Sequence, residues 1–260
     1  MLQFDTETTR QLEIAYTGAD VVKRRRASFD AVGPRPGEVI LDIGCGNGLL
    51  TVELAKAVGP EGQVIGVDPS ADMRDAADKR CRDIEWIDLR SGTSEALPLS
   101  DGEVDKAVAV QVFEYLPELM SSLEEARRVL KPGGRLTVAD IHFDSWVWFS
   151  EHPERMTAMM KAWDAHLCLR NAPALLPYAM QETGFAIERV EAVTICDHDK
   201  KPDGLATMMV HLMKAFAVSQ AAVSEETAEA WATEQEALAR AGRFFFSISQ
   251  FVISASKPRR

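Results

Sequence analysis

A ten-residue stretch from Val39 to Gly48 constrains this chain more than any other. It reads Val-Ile-Leu-Asp-Ile-Gly-Cys-Gly-Asn-Gly. Four apolar positions around one acid, Asp42, have the pattern of a buried strand. Three alternating glycines follow, and then Leu-Leu-Thr-Val-Glu-Leu-Ala-Lys-Ala-Val at helical spacing. Gly44, Gly46 and Gly48 leave the main chain bare, so a ligand can lie against it over the positive end of a helix.

The rest of the chain repeats that alternation. Residues 1–32 read as helical, and Gly33-Pro34-Arg35-Pro36-Gly37 breaks the helix and feeds the first strand. Helix is expected from about Leu49 to Val58, stopped by Gly59-Pro60. Gln63 to Val67 reads as a second strand ending in Asp68-Pro69, with Ser70 as N-cap of the next helix. Ile84–Leu89 and Asp105–Val112 are the third and fourth strands. A helix over Pro117–Leu130 ends at Lys131-Pro132-Gly133-Gly134, and Arg135–Ile141 is the fifth strand. Five strand–helix alternations imply an α/β fold, a doubly wound and mostly parallel sheet with helices on both faces.

After Ile141 the character changes. Residues 142–169 are rich in Trp, Met and His and read as helical from Pro153. Helices are expected over 172–183, 205–219 and 225–241, with strands over 185–196 and 244–256. Two late strands suggest an antiparallel pair at one edge, which brings the sheet to seven strands. The expected organisation is an N-terminal helical lid segment over 1–32 and one domain over 33–260. Helical lid insertions fall at about 142–183 and 202–242.

Composition removes several function classes. The formal net charge of −11 repels phosphate backbones, so nucleic acid is not expected as a partner. The one basic run, Lys23-Arg24-Arg25-Arg26, reads as a solvated helix face or a contact to an anionic group. No stretch of 18 apolar residues exists and the first ten residues contain no apolar run, so neither a membrane span nor a secretory signal is expected. Cys45, Cys81, Cys168 and Cys196 form no Cys-x-x-Cys pair and no zinc spacing. A reduced, cytoplasmic chain with no metal is the expectation.

The glycine turn discriminates between ligands. A dinucleotide turn runs Gly-x-Gly-x-x-Gly, which from Gly44 puts the third glycine at position 49, where Leu49 stands. No Gly-Lys-Ser/Thr follows, so a phosphate loop is excluded as well. Asp42-Ile43-Gly44-Cys45-Gly46-Asn47-Gly48 instead resembles motif I of the class I S-adenosylmethionine-dependent methyltransferases. Val67-Asp68-Pro69-Ser70 resembles the family's second motif, and Glu95-Ala96-Leu97-Pro98 with Val104-Asp105 its approach to the fourth strand. Gln111-Val112-Phe113-Glu114-Tyr115-Leu116 is similar to the segment after that strand, and Arg128-Val129-Leu130-Lys131-Pro132-Gly133-Gly134 to the run before the fifth. The resemblance covers about residues 35–141 and is nearest to the small-molecule branch that includes quinone-biosynthesis methyltransferases.

That resemblance implies a Rossmann-like methyltransferase fold, S-adenosylmethionine as cofactor and S-adenosylhomocysteine as product. It assigns Asp68 to the ribose hydroxyls, the main chain at Gly44, Cys45 and Gly46 to the amino-acid moiety, and Asp42 to the turn and the amino group. Pro69 follows in the second motif, and Met73 falls near the adenine or in the core. The family's adenine-binding Asp is replaced by Gly92-Thr93-Ser94, leaving hydroxyls at Thr93 and Ser94. Gln111 falls against the methionine portion.

Methyl transfer requires an aligned acceptor, and a base only where the acceptor loses a proton. Asp140, His142 and Asp144 fall where the fifth strand ends, and His142 has the most suitable ordinary pKa, so it is the candidate catalytic residue. Tyr115 occupies a position the family often fills with His. Tyr16, Tyr115, Trp146 and Trp148 are candidates for lining an acceptor pocket, with lid core as the structural alternative. The expected function is methyl transfer to oxygen, nitrogen or carbon of a small molecule by a monomer or homodimer. The alternative is a non-catalytic cofactor-binding sensor or scaffold.

Overall fold

The computed structural model of the protein describes residues 16–259. Seven strands form one sheet: β1 (Val39–Ile43), β2 (Gln63–Asp68), β3 (Ile87–Ser91), β4 (Val104–Val110), β5 (Leu130–Trp148), β6 (Ala186–Asp197) and β7 (Phe246–Ser256). The order across the sheet is β3-β2-β1-β4-β5-β7-β6. The first five strands pair in parallel, with Ile43 opposite Val67 and Ala109, and Asp68 opposite Ser91. β7 is antiparallel to β5 and to β6. The Phe149 amide donates to the Phe245 carbonyl, the Lys257 amide donates to that of Gly134, and Thr194 meets Ser249 as Cys196 meets Ser247. Paired positions that rise on one strand therefore fall on the other. This is the expected doubly wound sheet.

The strand order reverses between β1 and β4. In an open parallel sheet that reversal opens a crevice above the carboxyl ends of the two strands. The glycine turn and the segment after β4 both lie at those ends.

The helices are α1 (Ala19–Val32), α2 (Leu49–Val58), α3 (Ala71–Cys81), α4 (Met120–Val129), α5 (Pro153–Asp164), α6 (Ala172–Glu182), α7 (Leu205–Ser219) and α8 (Glu225–Arg240). The stretch Met1–Ala15, the first part of the expected N-terminal lid segment over 1–32, lies outside the described residues.

The chain divides into two compact units. Among the described residues the larger comprises Arg25–His142, Asn171–Val193 and 250–259. Its core joins Val32, Ile40, Leu50, Leu54, Ala55, Val58, Val64 and Val108, the inward faces of α2 and the central strands. Among the described residues the smaller comprises 16–24, Phe143–Arg170 and Thr194–Ser249. There α7 is apolar around most of its circumference and buried. Trp148 centres an aromatic cluster with Trp146, Trp231, Phe244 and Phe246 at ring separations of 4.8 to 6.4 Å.

Several boundaries differ from expectation for identifiable reasons. β5 starts at Leu130 because the Lys131–Gly134 run is held by the end of β7: the Gly133 amide donates to the Lys257 carbonyl at 2.8 Å. It continues to Trp148, so residues 142–148 are strand and not the start of a lid. α4 starts at Met120, three residues late, because the Glu118 carboxylate accepts the amides of Met120 and Ser121 and fixes the first turn there. β3 spans Ile87–Ser91, since Ile84 still closes a turn onto Cys81. The basic run is not one solvated face. Arg24 is buried, Arg25 pairs with Glu53 at 2.8 Å, and Arg26 lies over the Phe29 ring.

Candidate active site

β1 ends at Ile43, and the chain turns through Gly44, Gly46 and Gly48 with φ of +68°, +53° and +79°. Each is a left-handed conformation that side-chain-bearing residues rarely take. Two of the glycines are also required by close approach. A Cβ on Gly44 would stand 2.5 Å from Val112 Cγ2, and one on Gly48 3.1 Å from the Ala77 Cβ. Gly46 differs, because nothing lies within 4 Å of its Cβ position. Its main chain is bare and faces open space.

β2 holds this turn in place. The amides of Gly44 and Cys45 both donate to the Val67 carbonyl, at 2.7 and 3.1 Å. The Gly46 amide donates to Asp68 Oδ2 at 3.0 Å, and the Ser70 amide to Asp68 Oδ1 at 2.9 Å. Asp68 is nearly buried and clamps the end of β2 to the glycine turn. Ser70 Oγ accepts the Met73 amide and caps α3, as expected, which sets Pro69 and half-buried Met73 beside the turn.

Beneath the turn lies Asp42, buried, with Thr51 Oγ1 donating to its Oδ2 at 2.6 Å. Burial pushes its pKa up to about 7, against the Thr51 hydrogen bond, and the Asp68 charge adds to the rise. Thr51, on α2, was not among the expected site residues, although its place in the first turn after the glycines was the available signal. Burial likewise raises the Cys45 thiol far above its ordinary value, so Cys45 fills the turn as an inert apolar group.

Thr93 and Ser94 follow β3. Thr93 is exposed, whereas Ser94 Oγ is buried and accepts the Ser122 hydroxyl at 2.9 Å. Of the two hydroxyls expected to replace the missing acid, only that of Thr93 faces solvent.

The segment after β4 carries a second cluster. Gln111 has φ of +55°, left-handed for a residue with a side chain. Its amide donates to the Ala139 carbonyl at 2.9 Å and its Nε2 to Glu114 Oε1 at 3.3 Å. Glu114 Oε2 accepts the Ile141 amide at 2.9 Å, and Asp140 Oδ1 accepts the Val112 amide at 2.9 Å. Glu114 and Asp140 are both completely buried. Burial, then the charge of Glu114, hold Asp140 well above the ordinary carboxylate range. His142 is half-buried with its ring tilted against Phe251 at 5.9 Å, and Tyr115 is 41 % exposed.

The larger unit thus brings together Asp42, Gly44, Cys45, Gly46, Asp68, Pro69 and Met73, holds Thr93, Ser94, Gln111 and Tyr115 in the segments after β3 and β4, and carries His142 within β5. Tyr16, Trp146 and Trp148 belong to the smaller unit. Trp146 and Trp148 are core there, and the Trp148 indole N–H donates to Gln235 Oε1 at 2.9 Å. Asp144 is a partner of Arg170. Among the described residues no cluster of three metal-ligating side chains occurs, and no helix is long and apolar enough to cross a membrane.

Residues 41–138 match the family model described as a methyltransferase domain. An uncharacterised 37.1 kDa protein of a Streptomyces fradiae transposon is 33% identical over 234 residues, 87% of this chain and 65% of that protein. The 2-phytyl-1,4-naphtoquinone methyltransferase of Synechococcus elongatus is 38% identical over 123 residues, 46% of this chain and 52% of the enzyme. The chain therefore spans between half and two thirds of the length of these relatives. The YcgJ protein of Bacillus subtilis has the same fold, with a TM-score of 0.62 at 17% identity, covering 91% of this chain and 99% of that one.

Proposed function

The chain carries a class I methyltransferase domain, and from that premise we propose that it is an S-adenosylmethionine-dependent enzyme that methylates a small molecule. The observation that carries this reading is the open main chain at Gly46, tied by its amide to Asp68. Such a turn accepts a ligand's amino-acid end against bare backbone, and the neighbouring carboxylate keeps lone pairs for two hydroxyls.

S-adenosylmethionine supplies a methyl group on a sulfonium, already a good leaving group. The residues of this chain bind, orient and exclude water. Asp68 takes the ribose hydroxyls, Gly44 and Gly46 the amino-acid end, Gln111 the methionine chain, and Thr93 with backbone groups the adenine. Asp42 buttresses the turn from below. His142 takes the acceptor's proton where the acceptor must lose one. Tyr115, exposed in the turn after β4, is the residue of the larger unit that serves acceptor recognition. A quinol-like or phenolic acceptor is the first class to test, given the quinone methyltransferase among the relatives.

Calorimetry of the purified chain with S-adenosylmethionine and S-adenosylhomocysteine tests the cofactor, with micromolar binding expected. A labelled-methyl screen over quinols, phenols and amines tests the reaction, with label in an acceptor and stoichiometric S-adenosylhomocysteine expected. Absence of cofactor binding overturns the proposal. Binding without transfer to any acceptor would leave a sensor or scaffold.

A further inference from the structure

Two buried carboxyl groups in the larger unit are not used by the functions proposed above. Glu114 lies in the short 3-10 turn Phe113–Tyr115 after β4, and Asp140 near the point where β5 passes its parallel partner. Each reaches across to the other's main chain. Asp140 Oδ1 accepts the Val112 amide, at the start of the turn, and Glu114 Oε2 accepts the Ile141 amide, on β5. The exchange is reciprocal, as in a capping box, but joins the segment after β4 to β5 rather than closing one helix. Both residues have no exposed surface. Two carboxyl groups taken out of water side by side oppose folding, so their retention calls for a local role.

The conformation of Gln111 identifies that role. Its φ of +55° is unfavourable for glutamine and persists only where the surroundings enforce it. Glu114 supplies the enforcement from one side, since its other oxygen accepts Gln111 Nε2 at 3.3 Å. Ala139, next to Asp140, supplies it from the other by accepting the Gln111 amide at 2.9 Å. The Val112 side chain, immediately after Gln111, in turn fills the space that a side chain on Gly44 would need. The clamp is therefore continuous with the glycine turn.

We propose that Glu114 and Asp140 are positioning residues, a reciprocal carboxyl clamp that holds Gln111 in its left-handed conformation and Val112 against Gly44, and so aligns Gln111 with the methionine end of the cofactor. This rests on the cofactor reading above. The clamp touches no ligand; it acts through residues 111 and 112.

A double-mutant cycle between Glu114→Gln and Gln111→Gly tests it, with S-adenosylhomocysteine affinity read by calorimetry and folding by thermal melting. Glutamine at 114 offers one carbonyl oxygen for two donors, so one half of the clamp is lost. Glu114→Gln is expected to weaken binding about tenfold. Gln111→Gly is expected to weaken binding, because the side chain that meets the methionine end is gone while glycine still adopts the same φ. In the Gln111→Gly background Glu114→Gln should cost no more than about twofold, the coupling expected of groups that act as one. Asp140→Ala should repeat the loss and Asp140→Asn should recover part of it, by returning an oxygen to the Val112 amide. If Glu114→Gln weakens binding equally in both backgrounds, or leaves it unchanged, the clamp does not act through Gln111 and the inference fails. If Glu114→Gln does not fold, the same cycle with Asp140→Asn decides by the same criterion. If the unsubstituted chain binds no S-adenosylhomocysteine, it is the cofactor reading that has failed.

Discussion

Each oxygen of the Asp68 carboxylate already accepts one backbone N–H, from Gly46 and from Ser70. A carboxylate has about four lone-pair positions, so the ribose contact proposed for Asp68 would add to this arrangement without replacing it. Asp68→Ala therefore removes ligand contacts and the anchor of the glycine turn together. We expect it to weaken S-adenosylmethionine binding by about 2–4 kcal/mol, roughly 30- to 1000-fold by calorimetry. Asp68→Asn retains one oxygen and should fall between. Asp42 gives a pH dependence. Its folded pKa of about 7 lies above the ordinary 3.8, so its contribution is full below about 3.8 and is lost as pH rises through about 7. Asp42→Asn keeps an acceptor for Thr51 and does not titrate. Its Tm relative to the unsubstituted chain should rise between pH 5 and pH 7, by up to about 3 kcal/mol of relative stability. A constant gap in differential scanning fluorimetry would show that Asp42 stays ionised. Asp42 and Asp68 were legible in the sequence because a strand end and a glycine turn define their surroundings locally. The clamp was not, since Asp140 and the Val112 amide are 28 positions apart and meet only across the sheet.

Among the elements, β5 was the least legible. Lys131-Pro-Gly-Gly has the composition of a break, yet backbone pairing with Lys257 keeps it in the sheet. Trp146 and Trp148 suggested a pocket by residue type. Their spacing of two was the better signal: both are buried on one face of a strand, while Val147 between them is 56 % exposed. α8 packs in the same unit and carries Glu234, which holds the segment after β5. It accepts the Ser150 hydroxyl and the Glu151 amide, both at 2.7 Å, and pairs with Arg155 at 2.9 Å. Those partners keep its pKa below the ordinary value against the opposing effect of burial. Glu234→Ala leaves three donors without this acceptor and should destabilise the smaller unit by about 2–4 kcal/mol. Tryptophan emission in urea would report this, since Trp146, Trp148, Trp163 and Trp231 all belong to that unit. A midpoint within error of the unsubstituted chain would refute it.

For the molecule as a whole, the alternation of apolar strands and capped helices was enough to specify the sheet, because each βαβ step admits one handedness and neighbouring strands. Which segments form the smaller unit was not specified, since α5 is separated in sequence from α7 and α8 and meets them only in the folded chain, as in the Arg155–Glu234 pair. The −11 charge also operates at this scale, since an acidic surface raises the local concentration of cationic ligands. S-adenosylmethionine, with its sulfonium, is such a ligand. A ligand that binds only the folded chain stabilises it by about 2.7 kcal/mol at a hundred times its Kd. For a chain of this size each kcal/mol moves Tm by about 2–4 °C, so saturating S-adenosylhomocysteine should raise Tm by about 5–10 °C. NAD, whose pyrophosphate requires the glycine that Leu49 replaces, should produce no shift at the same concentration. A shift with NAD and none with S-adenosylhomocysteine would reassign the turn to a dinucleotide. Equal shifts would mean that the turn reads only the adenosine the two ligands share, and that Gln111 and the main chain at Gly46 contribute nothing to selectivity.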